Sequence, residues 1–445
     1  MANQITTKSA EASFIDRIDI ISNKNQQSVS VTNGTIRLMY YESILQDTIR
    51  ATVTFADTGN TINDKSALEG LPIVGQEKVQ IKFKDNNEET LDLVLYVNKV
   101  TPLSDDTTKS MVQLDLVSKE YILNEKIRLN TRFDGKISSH IRTILIDQNY
   151  LATQKNLDIE ETSNTYNFIG NNKKPYYAMN WLSKKAVPNF AEAKGNTAGY
   201  FFYETSEGFR FKSIDSLLSQ EKKKSIIFNQ TPDSGGDNTP SGYDLKALDY
   251  SKDNRVDVQE KLQIGAFSTR TVLFDPFNCY YEVLTPNAKE KEKSLKLGGK
   301  ELPVLNPEFN QTGQNKDFSR TTYYLLDKGT LPSGNTQQQI EKSKEENFEP
   351  KNILNQSIMR YNQLFSLKST VTIPGDFSLH AGDVVYCDAK QLAKNDEEIN
   401  REYGGLYIIA DLCHYISPKE TYTKLNLVRD SIGRTGNHTS RNIPL

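Results

Sequence analysis

Short runs in which apolar and polar residues alternate fill the first quarter of the chain. Four runs place an apolar residue at every second position, the period-two pattern of strands with one buried face. They cover residues 49–55, 79–83, 91–97 and 112–117. Polar turns such as Asp85-Asn86-Asn87 separate them. The pattern predicts an antiparallel barrel or sandwich over residues 1–125.

Helical spacing appears after about residue 119. One apolar stripe predicts a helix that Asp134 would cap, and it consists of Ile137, Ile141, Ile144 and Leu145. Pro175 suits the first turn of a second helix, in which Trp181 faces the core, and Pro188 would end it. A hairpin over residues 199–211 follows. We therefore expect an α+β domain over residues 126–235.

Strand patterns return in the second half of the chain. Breaker residues over 231–238 predict a linker, and strand patterns follow over 256–284 and 367–428, with a helix over 353–365 between them. Residues 286–352 are rich in Lys, Glu, Gln, Asn and Gly and predict a polar, charged insertion. We expect a second β block over 236–285 and 353–432, and a loose tail over 433–445.

The first and last strand blocks share a layout. Gly75 precedes the strand run 79–83, and the block closes in Leu-Asp-Leu-Val at 114–117. Gly382-Asp383 precedes the run 384–387, a strand over 406–412 follows, and the block closes in Leu-Asn-Leu-Val at 425–428. Any two antiparallel meanders can be aligned this loosely. If the repeat is a duplication, three chains in a ring would present six similar units.

Composition narrows the class of protein. With 445 residues the chain is long enough for several domains, and its 54 basic and 57 acidic residues nearly cancel, which disfavours a dedicated nucleic-acid or membrane-surface binder. Cys279, Cys387 and Cys413 have no paired spacing, so a reducing compartment is expected. No signal peptide or apolar run of membrane-spanning length is evident, which predicts assembly in the cytosol without membrane insertion.

Three stretches resemble the central baseplate hub proteins of T-even-like contractile-tailed phages, particularly those of marine cyanobacterial phages. The stretches are residues 199–218, the Ile-Pro-Gly-Asp at 373–376 with Ala-Gly-Asp-Val-Val at 381–385, and residues 405–409 through 427–430. The Pro-Gly-Asp and Ala-Gly-Asp elements are common to many hub-like proteins of phage tails and secretion spikes. They therefore indicate the class more than the member.

The resemblance implies a mainly β fold with α+β insertions, in which two similar antiparallel tail-tube-like β-barrels are joined by smaller domains. It further implies a homotrimeric ring in the virion baseplate, between the tail tube and a trimeric cell-puncturing spike. Expected partners are the spike, the tube or its initiator, baseplate wedge proteins and the tape measure protein. DNA would pass through the lumen only in transit. The insertion at 286–352 has no counterpart that we can match.

The residues that we single out are structural. Pro374-Gly375-Asp376 has the residue order of a type II turn, in which Gly supplies a positive φ. Gly75, and Gly382 with Asp383, predict two further turns, and a β-carbon at Gly382 would collide with a neighbouring strand.

No catalytic, cofactor or metal site is predicted. His140, His380, His414 and His438 lack metal-ligand spacing, and nucleotide-binding and serine-hydrolase motifs are absent from the sequence. Two alternatives to a hub stay open. A receptor- or carbohydrate-binding β protein would use the many Tyr and Phe for sugar stacking, and a peptidoglycan hydrolase would need a paired carboxylate cleft that sequence cannot show.

Overall fold

The computed structural model is mainly β with smaller α+β parts, which confirms the expected fold class. Two blocks of strands, one near each end of the chain, join in one 14-stranded sheet. The structure describes residues 13–24, 26–59, 66, 70–71, 73–105, 109–189, 198–228, 242–253, 258–275, 279–285, 296–309, 318–325, 335–338, 340, 350–389 and 403–436.

The first block contains seven strands. They are β1 (Phe14–Ile21), β2 (Ser28–Ser30), β3 (Thr35–Ser43), β4 (Arg50–Asp57), β5 (Lys78–Lys84), β6 (Thr90–Asp105) and β7 (Ser110–Val117). Alternate residues of these strands are buried, as the period-two pattern predicts. The strand order in the sheet is β2-β1-β5-β6-β7-β4-β3.

An α+β part follows. Its elements are α1 (Lys119–Lys126), β8 (Arg132–Phe133), α2 (Ile137–Ile146), β9 (Leu157–Ile159), β10 (Phe168–Ile169), α3 (Pro175–Ser183), β11 (Tyr200–Thr205), β12 (Gly208–Ser213) and α4 (Ile214–Ser219). Pro175 occupies the first turn of α3, and the Ser213 hydroxyl caps α4 by accepting from the Ser216 amide at 3.0 Å. The hairpin β11-β12 lies where the sequence predicts it.

Two details of the helices differ from expectation. Asp134 does not cap α2: the N-cap position is Lys136, and no side chain caps that end. Helix α3 ends at Ser183, five residues before Pro188, which instead forms an isolated bridge with Thr162. The Asn164 side chain donates to the Lys185 carbonyl at 2.8 Å and accepts from the Val187 amide at 3.0 Å, which holds these residues outside the helix.

The second block is split by inserted elements. It begins with β13 (Lys224–Phe228), β14 (Leu245–Lys246) and β15 (Asp249–Asp253). The inserted elements are α5 (Val258–Ile264), β16 (Thr269–Asp275), β17 (Tyr280–Leu284), β18 (Arg320–Leu325) and α6 (Pro350–Leu364). The block resumes with β19 (Leu367–Pro374), β20 (Val384–Ala389), β21 (Gly405–Ile416) and β22 (Thr421–Arg429).

The inserted strands form a sheet of their own. Strands β16 and β17, which we expected in the second block, pair with β18 in the order β17-β16-β18. The stretch 286–352 thus contributes β18 to this sheet, and its residues 298–301 contact the end of the chain: the Gly298 amide donates to Asp430 at 2.9 Å. Much of 286–352 lies outside the described residues.

The strand order of the second block repeats that of the first. It reads β14-β13-β20-β21-β22-β19-β15, so the seven strands of each block correspond one to one in chain order. In the first block, β2 pairs with β1 and the following strand β3 pairs with β4. In the second block, β14 pairs with β13 and the following strand β15 pairs with β19. The two ends of each strand order are therefore consecutive in the chain.

The registers match as well. Each long strand has one residue that pairs with both neighbouring strands of its own block: Tyr96 with Lys78 and Val117, and Ile408 with Val384 and Val428. Two residues later a β-bulge follows in both strands, at Asn98 and at Ala410. The closing Leu-x-Leu-Val segments occupy equivalent ladder positions, as the sequence comparison aligned them. The direction of one strand differs, because β1 is antiparallel to both β2 and β5 whereas β13 is parallel to both β14 and β20.

Among the described residues, buried side chains form three clusters. The largest runs through both strand blocks without interruption, and a second fills the α+β part. Trp181 is partly buried at the edge of that second cluster, with its ring 5.3 Å from Tyr166 and 5.4 Å from Phe168. A third cluster packs β11, α4 and α6 against the second block. The α+β part is therefore fixed to the junction of the two blocks.

Candidate functional site

The two blocks meet in a strand joint that the sequence did not predict. Six residues of β3, from Leu38 to Ser43, pair antiparallel with Ile416 to Asp411 of β21. Both strands are largely buried there, and the Tyr40 and His414 rings stack with centroids 5.8 Å apart. Strand β21 can accept β3 because its second half extends beyond the end of β20. The joint makes one continuous sheet of two similar blocks.

The turn after β19 lies against this joint. Pro374 is the last residue of β19, and Gly375 is not among the described residues with a positive φ, so the expected type II geometry is wrong. Glycine is required for another reason: a β-carbon there would lie 2.5 Å from Cγ2 of Thr421. The Asp376 carboxylate accepts two hydrogen bonds from Ser378, one from the Ser378 amide at 3.0 Å and one from the Ser378 hydroxyl at 2.6 Å.

The second predicted turn has the expected collision. Gly382 has φ +87°, and a β-carbon there would overlap the buried hydroxyl of Tyr203 on β11. Asp383 accepts from the His380 amide at 2.8 Å and lies 2.8 Å from the Lys223 ammonium and 3.5 Å from the Arg210 guanidinium. This turn therefore connects the second block to the α+β part.

The same turn occurs in the first block. Gly75 has φ +105°, but the residue equivalent to Gly382 is its neighbour Gln76, with φ 69°. The Gln76 amide donates to Val97, as the Gly382 amide does to Ile409. Glu77 then accepts from an amide three residues earlier, as Asp383 does. The structure thus shifts the correspondence that we read from the sequence by one residue.

A buried carboxylate connects three parts of the molecule at the joint. Glu42 of β3 accepts from the Tyr40 hydroxyl at 2.7 Å, the Ser206 amide at 2.7 Å and the Ala381 amide at 2.9 Å. The imidazole Nδ1 of His380 lies 3.4 Å from the same carboxylate. Glu42 therefore contacts the first block, the β11-β12 hairpin and the turn of the second block.

The charge states of this pair support each other. Burial opposes ionisation of Glu42, but hydrogen bonds from His380, Tyr40 and Ser206 outweigh it and lower the pKa of Glu42 to about 2. Burial also disfavours a charged His380, yet the carboxylates of Glu42 and Asp383 raise its pKa above the usual range. The pair therefore forms an ion pair inside the junction.

Two further buried networks hold the α+β part in place. Glu204 accepts from Thr48 at 2.9 Å and from Ser118, and it shares the Lys155 ammonium with Glu120. A second network joins Arg360 of α6 to Asp430 at 2.5 Å and to Asp215 at 3.3 Å. All of these carboxylates are buried. Each network spans elements distant in sequence, so charge pattern alone could not have found it.

None of the histidine positions that the structure describes lies in a metal-ligand cluster. His140 contacts the Tyr166 carbonyl at 2.9 Å, and His414 contacts the Thr423 hydroxyl at 2.8 Å. His438 lies outside the described residues. Within the described part of the chain, helices of membrane-spanning length and apolarity are absent. A polar cavity of about 570 Å³ lies beside the joint, with Tyr41, Arg50, Asp115 and Asp411 among its lining residues.

The chain resembles known tail proteins in sequence and in fold. No family model matches it. It is 21% identical over 316 residues to the probable baseplate hub protein gp334 of Vibrio phage KVP40, covering 69% of this chain and 70% of that protein. Its fold is similar to the tail protein from Neisseria meningitidis MC58, with 8% identity and a TM-score of 0.50 over 93% of this chain and 96% of that one.

The 43 kDa tail protein of prophage MuSo2 from Shewanella oneidensis is similar as well, with 10% identity and a TM-score of 0.51 over 93% of this chain and 98% of that one. At these identities the solved structures show a shared fold. The sequence match adds a baseplate hub protein as a relative over more than two thirds of the chain. The resemblance inferred from sequence is thus confirmed: the chain is similar in sequence to a phage baseplate hub protein and in fold to tail proteins.

Proposed function

We propose that the chain is a non-enzymatic hub of a contractile phage tail and assembles as a homotrimeric ring between a six-fold tube and a three-fold spike. One observation supports this proposal most strongly: a single chain contains two blocks with identical strand order and matching register. Three such chains present six similar units, and a ring of six units can face a six-fold partner while keeping three-fold symmetry for the other.

The division of the chain follows from the same proposal. We take each block to be one tail-tube-like barrel and the α+β part, with the inserted sheet, to lie outside the ring. Partners would be the spike on one face, the tube or its initiator and the tape measure protein on the other, and wedge proteins at the periphery. The virion baseplate is the corresponding location, reached after assembly in the host cytoplasm.

The ring would also enclose part of the DNA exit channel. A near-neutral or mildly acidic wall would avoid the phosphate contacts that hold DNA in basic channels, and the chain has a formal net charge of -3. A map of the electrostatic potential of an assembled ring tests this point. A wall dominated by Lys and Arg would contradict it.

Light scattering of the purified chain tests the ring directly. A trimer has a mass of about three times 50.4 kDa. Co-assembly with spike and tube proteins of the same phage should then give a complex that contains both. A chain that stays monomeric at every concentration, and that neither partner converts to a trimer, would refute the proposal.

The polar cavity beside the joint favours one second candidate function. Tyr41 and Tyr121 line it together with carboxylates, and aromatic rings beside carboxylates suit sugar binding. A receptor- or carbohydrate-binding tail protein should give saturable hits on a glycan array, whereas a hub should give none. Zymography on cell-wall substrate separates the hydrolase alternative, for which we expect no clearing.

A further inference from the structure

The strand correspondence leaves two edges without partners among the described strands. Strand β21 pairs with β20 in its first half and with β3 in its second half. Its counterpart β6 pairs with β5 over residues 90–96, but over residues 98–105 it pairs only with β7 among the described strands. Likewise β15, the counterpart of β3, has β19 as its one described partner. The open edge of β6 is thus equivalent to the edge of β21 that pairs with β3, and the open edge of β15 is equivalent to the edge of β3 that pairs with β21.

Exposure agrees with this interpretation. In the closed joint, Leu38 and Leu412 are 0% and 2% exposed. In the open strands, Leu103 is 47% exposed, Leu248 beside β15 is 52% exposed, and residues 251–252 are exposed. Unpaired strand edges are templates for pairing with another chain. We therefore expect each of these two edges to pair with a strand of another chain.

We propose that β15 of one subunit pairs antiparallel with residues 101–105 of β6 in the next subunit, in the register of the closed joint. Matching both blocks through their common ladders makes Thr101 equivalent to Cys413, and Asp253 equivalent to Tyr41. Because Tyr41 pairs with Cys413, Thr101 should lie opposite Asp253 of the neighbour. The inference rests on the trimer of the proposed function and names its contact.

The geometry of such a joint decides the assembly. It connects different surfaces of the two subunits, so repeated use makes a closed ring or an open filament. If the internal and external joints are alike, each turns the sheet by one sixth of a circle, and three chains close. The contact is formed mainly by main-chain groups, since the side chains at equivalent positions differ: Lys252 stands for Tyr40, and Pro102 for His414.

Both open edges have features that keep a free subunit soluble. Pro102 has no amide proton, and a bulge follows it at Leu103. The Tyr250 amide of β15 donates to the neighbouring Asp249 carboxylate at 2.9 Å, which satisfies one edge donor locally. Prolines, bulges and charged residues are the usual means by which proteins protect edges before the correct partner arrives.

Cysteine cross-linking tests the register. The variant Thr101→Cys with Asp253→Cys, in a Cys279→Ser background that removes an exposed thiol, is oxidised and run on a non-reducing gel. Directly opposed residues have Cα atoms about 4.5–5.5 Å apart, within the range of a disulfide. We expect covalent dimers and trimers and no larger species, with each single-cysteine variant remaining monomeric on the gel.

Two matched variants serve as positive and negative controls. Tyr41→Cys should cross-link to native Cys413 within one chain, which shows that the closed joint supports a disulfide. Val94→Cys with Asp253→Cys should not cross-link, because Val94 lies in the half of β6 that already pairs with β5. Val94 is 41% exposed, so its thiol is accessible to the oxidant.

Light scattering of the reduced variant separates the possible failures. A trimer that does not cross-link overturns this contact and leaves the proposed ring standing, since the subunits then meet elsewhere. A monomer without cross-links, which neither the spike nor the tube protein converts to a trimer, overturns both. Covalent species longer than three chains support the pairing but overturn a closed three-chain ring.

Discussion

Removing the Glu42 carboxylate should loosen the junction between the two strand blocks. In Glu42→Ala, the amides of Ser206 and Ala381 lose their acceptor, and His380 loses the carboxylate that raises its pKa. Breaking a buried ion pair by removing one partner typically costs about 3–5 kcal/mol, and a buried donor left unpaired costs about 1–3 kcal/mol. Because these costs overlap, we expect a total loss of about 3–5 kcal/mol.

Urea unfolding is the appropriate assay, with circular dichroism for the strands and Trp181 fluorescence for the α+β part. We expect the midpoint of the strand signal to fall, and Glu42→Gln, which keeps an acceptor, to lose about half as much. The matched control is Glu125→Gln. Glu125 forms an exposed ion pair with Lys174, so its loss should be within error. Equal midpoints for Glu42→Ala and the control would refute the role of the junction carboxylate.

The pH dependence of the same junction follows from its two charges. The pKa of His380 is raised, so its contribution is complete below the ordinary value of 6.5 and is lost as pH rises through the folded pKa. The pKa of Glu42 is lowered to about 2. Its contribution to stability is therefore present above pH 4.5 and is lost as the pH falls from 4.5 towards the folded pKa of about 2. The pair should stabilise most between pH 4.5 and 6.5.

A difference measurement isolates this effect. Burial lowers the pKa of His414 to about 4, which makes that residue act in the opposite sense, destabilising the fold as pH falls below 6.5. The stability of the parent minus that of His380→Asn removes this background. We expect the difference to be largest near pH 6 and to shrink at alkaline pH, and a difference that grows with pH would contradict the assignment.

Three further substitutions test the structure. Gly382→Ala should cost about 1–3 kcal/mol in urea unfolding, because the positive φ is strained and the added carbon meets Tyr203, whereas Gly75→Ala has open space and should cost only the strain. Asp85→Ala removes the acceptor of a buried amide in the second block and should lower the midpoint by about 1–3 kcal/mol. Arg360→Ala leaves two buried carboxylates uncompensated and should cost about 3–5 kcal/mol, and a loss under 1 kcal/mol would contradict its role.

Local patterns predicted many elements, because alternation and helical spacing are properties of neighbouring residues. The runs 49–55 and 79–83 became β4 and β5, and the apolar stripe after residue 137 became α2. The run 91–97 was too short a prediction for β6, which continues to Asp105. The bulge at Asn98 shifts the alternation by one residue, so a strict period of two ends there.

The junction could not be predicted in this way. Glu42 and His380 are 338 residues apart, and neither has a sequence context that marks it as buried or paired. The pairing of β3 with β21 leaves no periodic signal either, since an edge strand and an inner strand have the same alternation. The repeat at 114–117 and 425–428 was informative because it fixes a register, and register determines which edges remain open.

The two kinds of joint face different physical demands, and this explains why their residues diverged. The internal joint is held by one chain, so its strands meet at high effective concentration and can bury Tyr40 and His414. The external edges exist in free subunits before assembly, and buried aromatic residues there would be exposed to aggregation. Exposed polar residues, Pro102 and a bulge satisfy that requirement while leaving main-chain groups available. Equivalent strands with opposite burial are therefore what a duplicated, ring-forming chain should contain.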